Sequence, residues 1–155
     1  MATHGDVVFV RVAGVGNLEN SIPLRRFLDS ARERGYRKFV FELGACEGFD
    51  STFMGTILGV ALARSTVVLV NVGTRERRLL EDVGIHRIVE VCEGSVPFPE
   101  VAMEELQPGA ADRSARFEHI LTAHEDLVRH DPGKNAAKFG EFLELLRREL
   151  GEERV

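Results

Sequence analysis

A chain of 155 residues that is 44% hydrophobic, with a formal net charge of −5, can form one domain with a real core and still carry an appendage. Its Lys and Arg residues are scattered rather than blocked, which argues against nucleic acid or an anionic membrane as partner, since both select a concentrated basic surface. No basic-then-apolar leader opens the sequence, and the longest uncharged stretch, Ser51 to Ala63, is too short and glycine-rich to cross a bilayer, so the expectation is a soluble, cytoplasmic protein without membrane insertion.

Residues 7–12 (VVFVRV) are β-branched and apolar and stop at Ala13-Gly14-Val15-Gly16, which predicts a strand running into a glycine turn. Ser21 or Asn20 is then expected to cap a helix, with Pro23 in its first turn. Leu24, Phe27, Leu28 and Ala31 form its apolar stripe, Arg25, Arg26, Asp29, Arg32 and Glu33 its charged back, and Gly35 its C-terminal cap. Residues 38–43 (KFVFEL) read as the next strand. The segment Gly44–Phe49 reads as a loop that leads to Asp50-Ser51-Thr52 and a helix without charge up to Ala63.

Residues 66–72 (TVVLVNV) are a buried-type strand, Thr74 caps a charged-then-apolar helix closed by Gly84, and residues 87–92 (RIVEVC) suggest one more short strand. Strands alternating with helices of this length predict an α/β layer with about four to five strands, mixed but mostly parallel. Residues 1–92 would make up this unit. Residues 93–112, with Pro97, Pro99, Pro108 and Gly109, read as a connector. Residues 113–155 read as two antiparallel helices broken at Asp131-Pro132-Gly133, with stripes of Phe117, Ile120, Leu121, His124, Leu127, Val128 and of Phe139, Phe142, Leu143, Leu146, Leu150. Helices of this length are marginal alone, so these stripes must pack on the α/β unit, on each other or on a second chain.

Ser51 stands at the start of the uncharged helix, where a hydroxyl ordinarily caps a free N–H. A helix apolar around its whole perimeter is either buried or offers a face to a partner, and full burial is hard in a small two-layer unit. An exposed apolar helix with Ser51 in its first turn would be a docking surface with a switch at its edge. Phosphate there would be held by the helix dipole, yet would put negative charge into an apolar contact beside Asp50. Other chemistries fit poorly. The segment is not G-x-S-x-G, and no HGGG-type oxyanion loop occurs, which speaks against a serine hydrolase. No acidic pair follows the first strand, against a phospho-aspartate receiver. Gly14 and Gly16 lack the third glycine of a dinucleotide fingerprint, and no Gly-Lys-Ser/Thr occurs. His119 and His124 are five apart rather than four, so no metal site is expected, and His124 reads as a half-buried structural histidine. Cys46 and Cys92, far apart and without a CxxC, read as reduced thiols.

The segment FDSTFMGTILG resembles the Asp-Ser-Ser/Thr-Gly-Leu-Gly pattern of the STAS domain, a family that includes the bacterial anti-sigma factor antagonists. VRVAG, FVFEL, TVVLVNV and RRLLEDVGIHRIVEV extend the resemblance over roughly residues 5–92. It implies that Ser51 is phosphorylated by a partner anti-sigma factor that doubles as a serine kinase, and that a phosphatase resets the cycle. The chain itself would be a binder and substrate, not an enzyme, with no cofactor. Asp50, Thr52, Phe53, Met54 and Asn17 would form the partner-binding surface. Two positions depart from the pattern: Phe53 replaces a usual glycine, and Asn17 falls where an acidic residue is often found. The alternative expectation is a STAS scaffold or assembly subunit without a switch, in a stress-signalling complex or as a lipid-transport accessory. It would associate through residues 113–155, which could also form a homodimer.

Overall fold

The computed structural model describes residues 1–97, 103–106 and 111–153. A five-stranded sheet runs in the order β1 (Ala2–His4), β2 (Val7–Arg11), β4 (Lys38–Glu42), β6 (Thr66–Val70), β7 (Glu90–Val91). β1 is antiparallel to β2, and every other pairing is parallel. Parallel pairing needs crossover segments, and the helices α1 (Leu18–Glu33), α2 (Ser51–Leu62) and α3 (Thr74–Asp82) supply them. Val8, Phe39 and Val67 lie in register across three strands. Alternate residues (Val8, Val10; Phe39, Phe41; Val67, Leu69) join Leu28, Ile57, Leu58 and Leu80 in one core. On the opposite face Val40 and Val68 are only half-buried, so 66–72 is not the strand buried on both sides that its composition suggested.

Several local expectations are corrected. The glycine turn at 13–16 and the loop at 44–49 pair with each other as β3 (Gly14–Gly16) and β5 (Cys46–Phe49), a short parallel ladder whose small residues gave no strand signal. α1 starts earlier than expected. Asn17, not Ser21 or Asn20, is its cap, in a reciprocal capping box with Asn20, and Pro23 therefore stands inside the helix. Gly73 rather than Thr74 precedes α3. The segment expected as a strand at 87–92 begins in a 3-10 turn, Ile85–Arg87, and pairs only over Glu90–Val91. Pro99, Pro108 and Gly109 of the expected connector lie outside the described residues. Cys46 and Cys92 are free thiols. No helix among the described residues is long and apolar enough to cross a membrane.

The two C-terminal helices, α4 (Arg113–His130) and α5 (Pro132–Glu153), form the expected hairpin. At its elbow Asp131 accepts from the Lys134 N–H at 3.1 Å, and Pro132 takes the first helical position, where its missing N–H costs nothing. The buried Asn135 amide donates to Val83 O at 2.9 Å and to Leu127 O at 2.7 Å. The His130 ring bonds Gly84 O at 2.9 Å, and Asp131 pairs with Arg87 at 3.0 Å. The elbow is thus fastened to the end of α3.

α4 lies on α2 and touches α1. What lets it approach is Gly55, where an added Cβ would run into the main chain of Ala123 and lie 2.8 Å from its Cβ. One turn on, a Cβ at Gly59 would stand 3.1 Å from Asp126 Oδ2 and 3.3 Å from an Arg25 guanidinium nitrogen. Gly55→Leu is therefore expected to push α4 off its seat and to destabilise the protein by about 1–3 kcal/mol or more. Urea denaturation of the variant beside the parent checks this.

Candidate functional site

Register in the small ladder decides where the helix starts fall. Gly16 pairs with Phe49, and the Asp50 N–H donates to Gly16 O at 2.9 Å, so the next residues on the two strands, Asn17 and Asp50, come side by side. Each caps a helix. Asp50 Oδ1 accepts from the Phe53 N–H at 2.8 Å. Ser51 is consequently the first residue of α2 and not its cap.

Relieved of capping, the Ser51 hydroxyl turns to α4, with Oγ 2.8 Å from His124 Nε2. The other ring nitrogen, Nδ1, lies 2.8 Å from Ile120 O. A carbonyl only accepts, so Nδ1 carries the ring proton, Nε2 is the acceptor, and the Ser51 hydroxyl donates to it. His124 is 2% exposed and is held edge-on to Phe139 and Phe142, with ring centroids 5.0 and 4.9 Å away. Burial lowers its pKa, only partly opposed by the bond to Ile120 O and by Asp50. The pair has the outline of a nucleophile and base, but His124 leans on a main-chain carbonyl rather than a carboxylate. A cavity of about 300 Å³ is walled in part by Arg11, Val12, Pro23, Phe53 and Leu106, and its walls include neither Ser51 nor His124.

A second polar stitch lies further along the same seam. His119 Nε2 stands 2.9 Å from Ser21 Oγ on α1 and 3.2 Å from Thr56 Oγ1 on α2. The Thr56 hydroxyl is already 2.8 Å from Thr52 O, to which it donates. Burial first, then Arg25 and Arg26, push the His119 pKa down to about 4, with Asp29 pulling weakly the other way. Asp126 faces Arg25 and Arg129, and burial raises its pKa against both. Arg116 of α4 forks onto the Glu19 carboxylate of α1. Both histidines first considered as metal ligands are hydrogen-bond anchors between helices. Among the described residues no three His, Cys, Asp or Glu side chains gather as a metal would need.

The structure brings Asn17, Asp50 and Ser51 together, but it does not leave the rest of the expected surface open. Thr52, Phe53 and Met54 are 6%, 2% and 4% exposed. The Phe53 ring lies against Gly16, where an added Cβ would come within 2.8 Å of it, and stacks on Phe49 at 6.0 Å. Phe53 is therefore a core residue that needs a glycine opposite it. Asn17 spends its side chain on the cap of α1. The expected open docking face of α2 is corrected in turn: α4 covers it. The signal for this cover was present as Gly55 and Gly59, four apart on an uncharged helix, a spacing that puts two bare spots on one face.

No protein-family model matches the chain, and no curated protein does. Among solved structures it is similar to a Thermotoga maritima protein provisionally assigned as an anti-sigma factor antagonist, with 23% identity and a TM-score of 0.53, over 58% of this chain and 81% of that one. At that level the likeness shows the fold, and the fold is the STAS type that FDSTFMGTILG implied.

The histidine stitches make the hairpin acid-sensitive. An imidazole released from the seam takes a proton near pH 6.5, whereas His119 in place does so only near 4. The released state therefore binds more protons across that window. Docking is complete above about pH 6.5 and weakens as the pH falls toward 4. His119→Gln should flatten this dependence, read as urea midpoint against pH. Separately, Ser51→Ala leaves His124 Nε2 buried without a donor and is expected to cost about 1–3 kcal/mol in the same measurement at neutral pH.

Proposed function

We propose that this chain is a regulatory binding protein of the anti-sigma-antagonist kind. Its partner is an anti-sigma factor that doubles as a serine kinase, and phosphate on Ser51 controls the encounter. The observation that carries the reading is the place of Ser51. Ser51, a half-buried residue, stands in the first turn of α2, directly after the Asp50 cap and beside the start of α1, on a STAS-type fold. Anions are favoured at helix N-termini, where first-turn N–H groups and the dipole converge, so the fold would accept a phosphate there. A charge of nearly −2 beside Asp50 would at the same time oppose contact with an apolar or acidic partner surface. The chain acts as substrate and binder rather than catalyst, without a cofactor, in the cytoplasm, and a phosphatase resets it. Incubation with a serine kinase of the anti-sigma type and ATP should place a single phosphate on Ser51, absent in Ser51→Ala, by mass spectrometry of peptides. Phosphate elsewhere, or none, overturns the reading.

One observation favours a second reading, a scaffold without a switch: the face of α2 is already occupied by α4. Association would then run through α5, where Phe142 and Leu145 stand 39% and 49% exposed. In that case the parent chain forms a homodimer that Leu145→Glu dissociates, as measured by light scattering. A parent that stays monomeric across the concentration range contradicts it.

A further inference from the structure

We propose that the α4–α5 hairpin is a cover in cis, and that its closed position and a phosphate on Ser51 exclude one another. Modification of this one hydroxyl then bares the face of α1 and α2 beneath. The inference rests on the preceding reading only for the source of the phosphate.

Closure depends on a hydrogen atom that phosphorylation removes. In the closed state the Ser51 O–H is the donor and His124 Nε2 the acceptor, and the tautomer is fixed because Nδ1–H is committed to Ile120 O. Phosphoserine has no proton on Oγ, and its outer oxygens are acceptors at neutral pH. Acceptor would face acceptor. A gap of 2.8 Å between Oγ and Nε2 also has no room for a phosphorus atom and its three oxygens. Should the phosphate swing toward solvent instead, Nε2 remains buried against Phe139 and Phe142 with nothing donating to it. Protonating the ring would supply a donor, and the phosphate's charge would favour that proton, but the phosphorus and its three oxygens still do not fit the closed gap, whatever the charge on the ring. Either geometry weakens the seat of α4.

The packing sets how far a weakened seat opens. Around Gly55 and Gly59 the seam is close because α2 offers bare backbone, while the α4 side chain that enters the apolar core, Leu127, sits in the half of α4 next to the elbow. Beyond Ser51, α4 is held on α1 and α2 by the His119 bonds to Ser21 and Thr56 and by the exposed Arg116–Glu19 pair. The elbow is fastened separately, through Asn135 and His130 to Val83 and Gly84. Release at Ser51 therefore lifts the first half of α4, and a helix without its packing is marginal in water. The face laid bare runs from Asp50 and Ser51 along Thr52, Gly55 and Thr56; a helix that takes it needs small facing residues, as Ala123 is, and a basic group at its Ser51 end, because the phosphate repels an apolar or acidic one.

Hydrogen–deuterium exchange on the full chain tests this without any kinase. Three forms are compared: the parent, Ser51→Ala, which loses only the hydrogen bond, and Ser51→Glu, which adds bulk and charge. Amides of residues 116–124 should exchange slowest in the parent and faster in Ser51→Ala. In Ser51→Glu they should be about tenfold or more faster than in the parent, while residues 38–42 and 66–70 keep the parent's rates. A chain carrying phosphoserine at 51, made by codon expansion, must repeat the Ser51→Glu result and settles the matter should Ser51→Glu lose protection in the sheet. Exchange in 116–124 no faster in the phosphoserine chain than in Ser51→Ala overturns the proposal. Because no kinase takes part, failure to find one that modifies Ser51 would sink the functional reading and leave this result intact.

Discussion

Two helices can bring their backbones together only where side chains are missing, and the arrangement of this protein depends on one such place. Gly55 lets the main chain of Ala123 settle on α2, and Gly59 one turn later makes room for Asp126 and Arg25. With α4 seated there, the uncharged perimeter of α2 is no longer a liability. The polar contacts of α4 with α1 and α2 are possible because this seam holds the axes close. His119 can reach two hydroxyls on two helices only at that separation, and His124 can meet Ser51 only from the same seat.

The polar groups in the seam give it direction rather than strength. Neutral hydrogen bonds of this kind contribute on the order of 1 kcal/mol each, whereas leaving a buried member unpaired costs about 1–3 kcal/mol. The seam is therefore sensitive to the loss of a single donor or the gain of a single proton, far more than an all-apolar interface would be. The elbow relies instead on Asn135, His130 and the turn capped by Asp131, none of which meets Ser51. One hairpin thus carries a fixed end and a conditional end.

The main strands and both C-terminal helices were legible in the sequence because their apolar residues recur at periods of two and of three to four. β3 and β5 were not, since Gly14, Gly16 and Gly48 carry no side chain to make a pattern, and their pairing is a long-range event. The start of α1 was misplaced because Ser21 and Pro23 are strong start signals, while the weaker-looking Asn17 and Asn20 cap each other. Ser51 was legible as a helix-start residue, but not its role, because Asp50 is the better acceptor for a first-turn N–H and took the cap. Phe53 looked like a surface departure until Gly16 was seen opposite it. The histidines could not be placed from sequence at all, since Ser21, Ser51 and Thr56 lie between 63 and 98 positions from them.

The hairpin belongs to the same chain as the face it covers, and that changes what any visitor to the face must contend with. Docking of α4 is a unimolecular equilibrium, indifferent to how much protein is present, while a separate partner gains ground only with its own concentration. A tethered segment acts like a competitor at an effective concentration on the order of millimolar. A partner helix that offered the same contacts as α4 and no more would lose at any ordinary cellular level. The elbow at Val83 and Gly84 keeps that internal competitor within reach, so the chain is built with a threshold: weak visitors are refused by its own tail, and admission requires either tighter contacts or a seam already loosened.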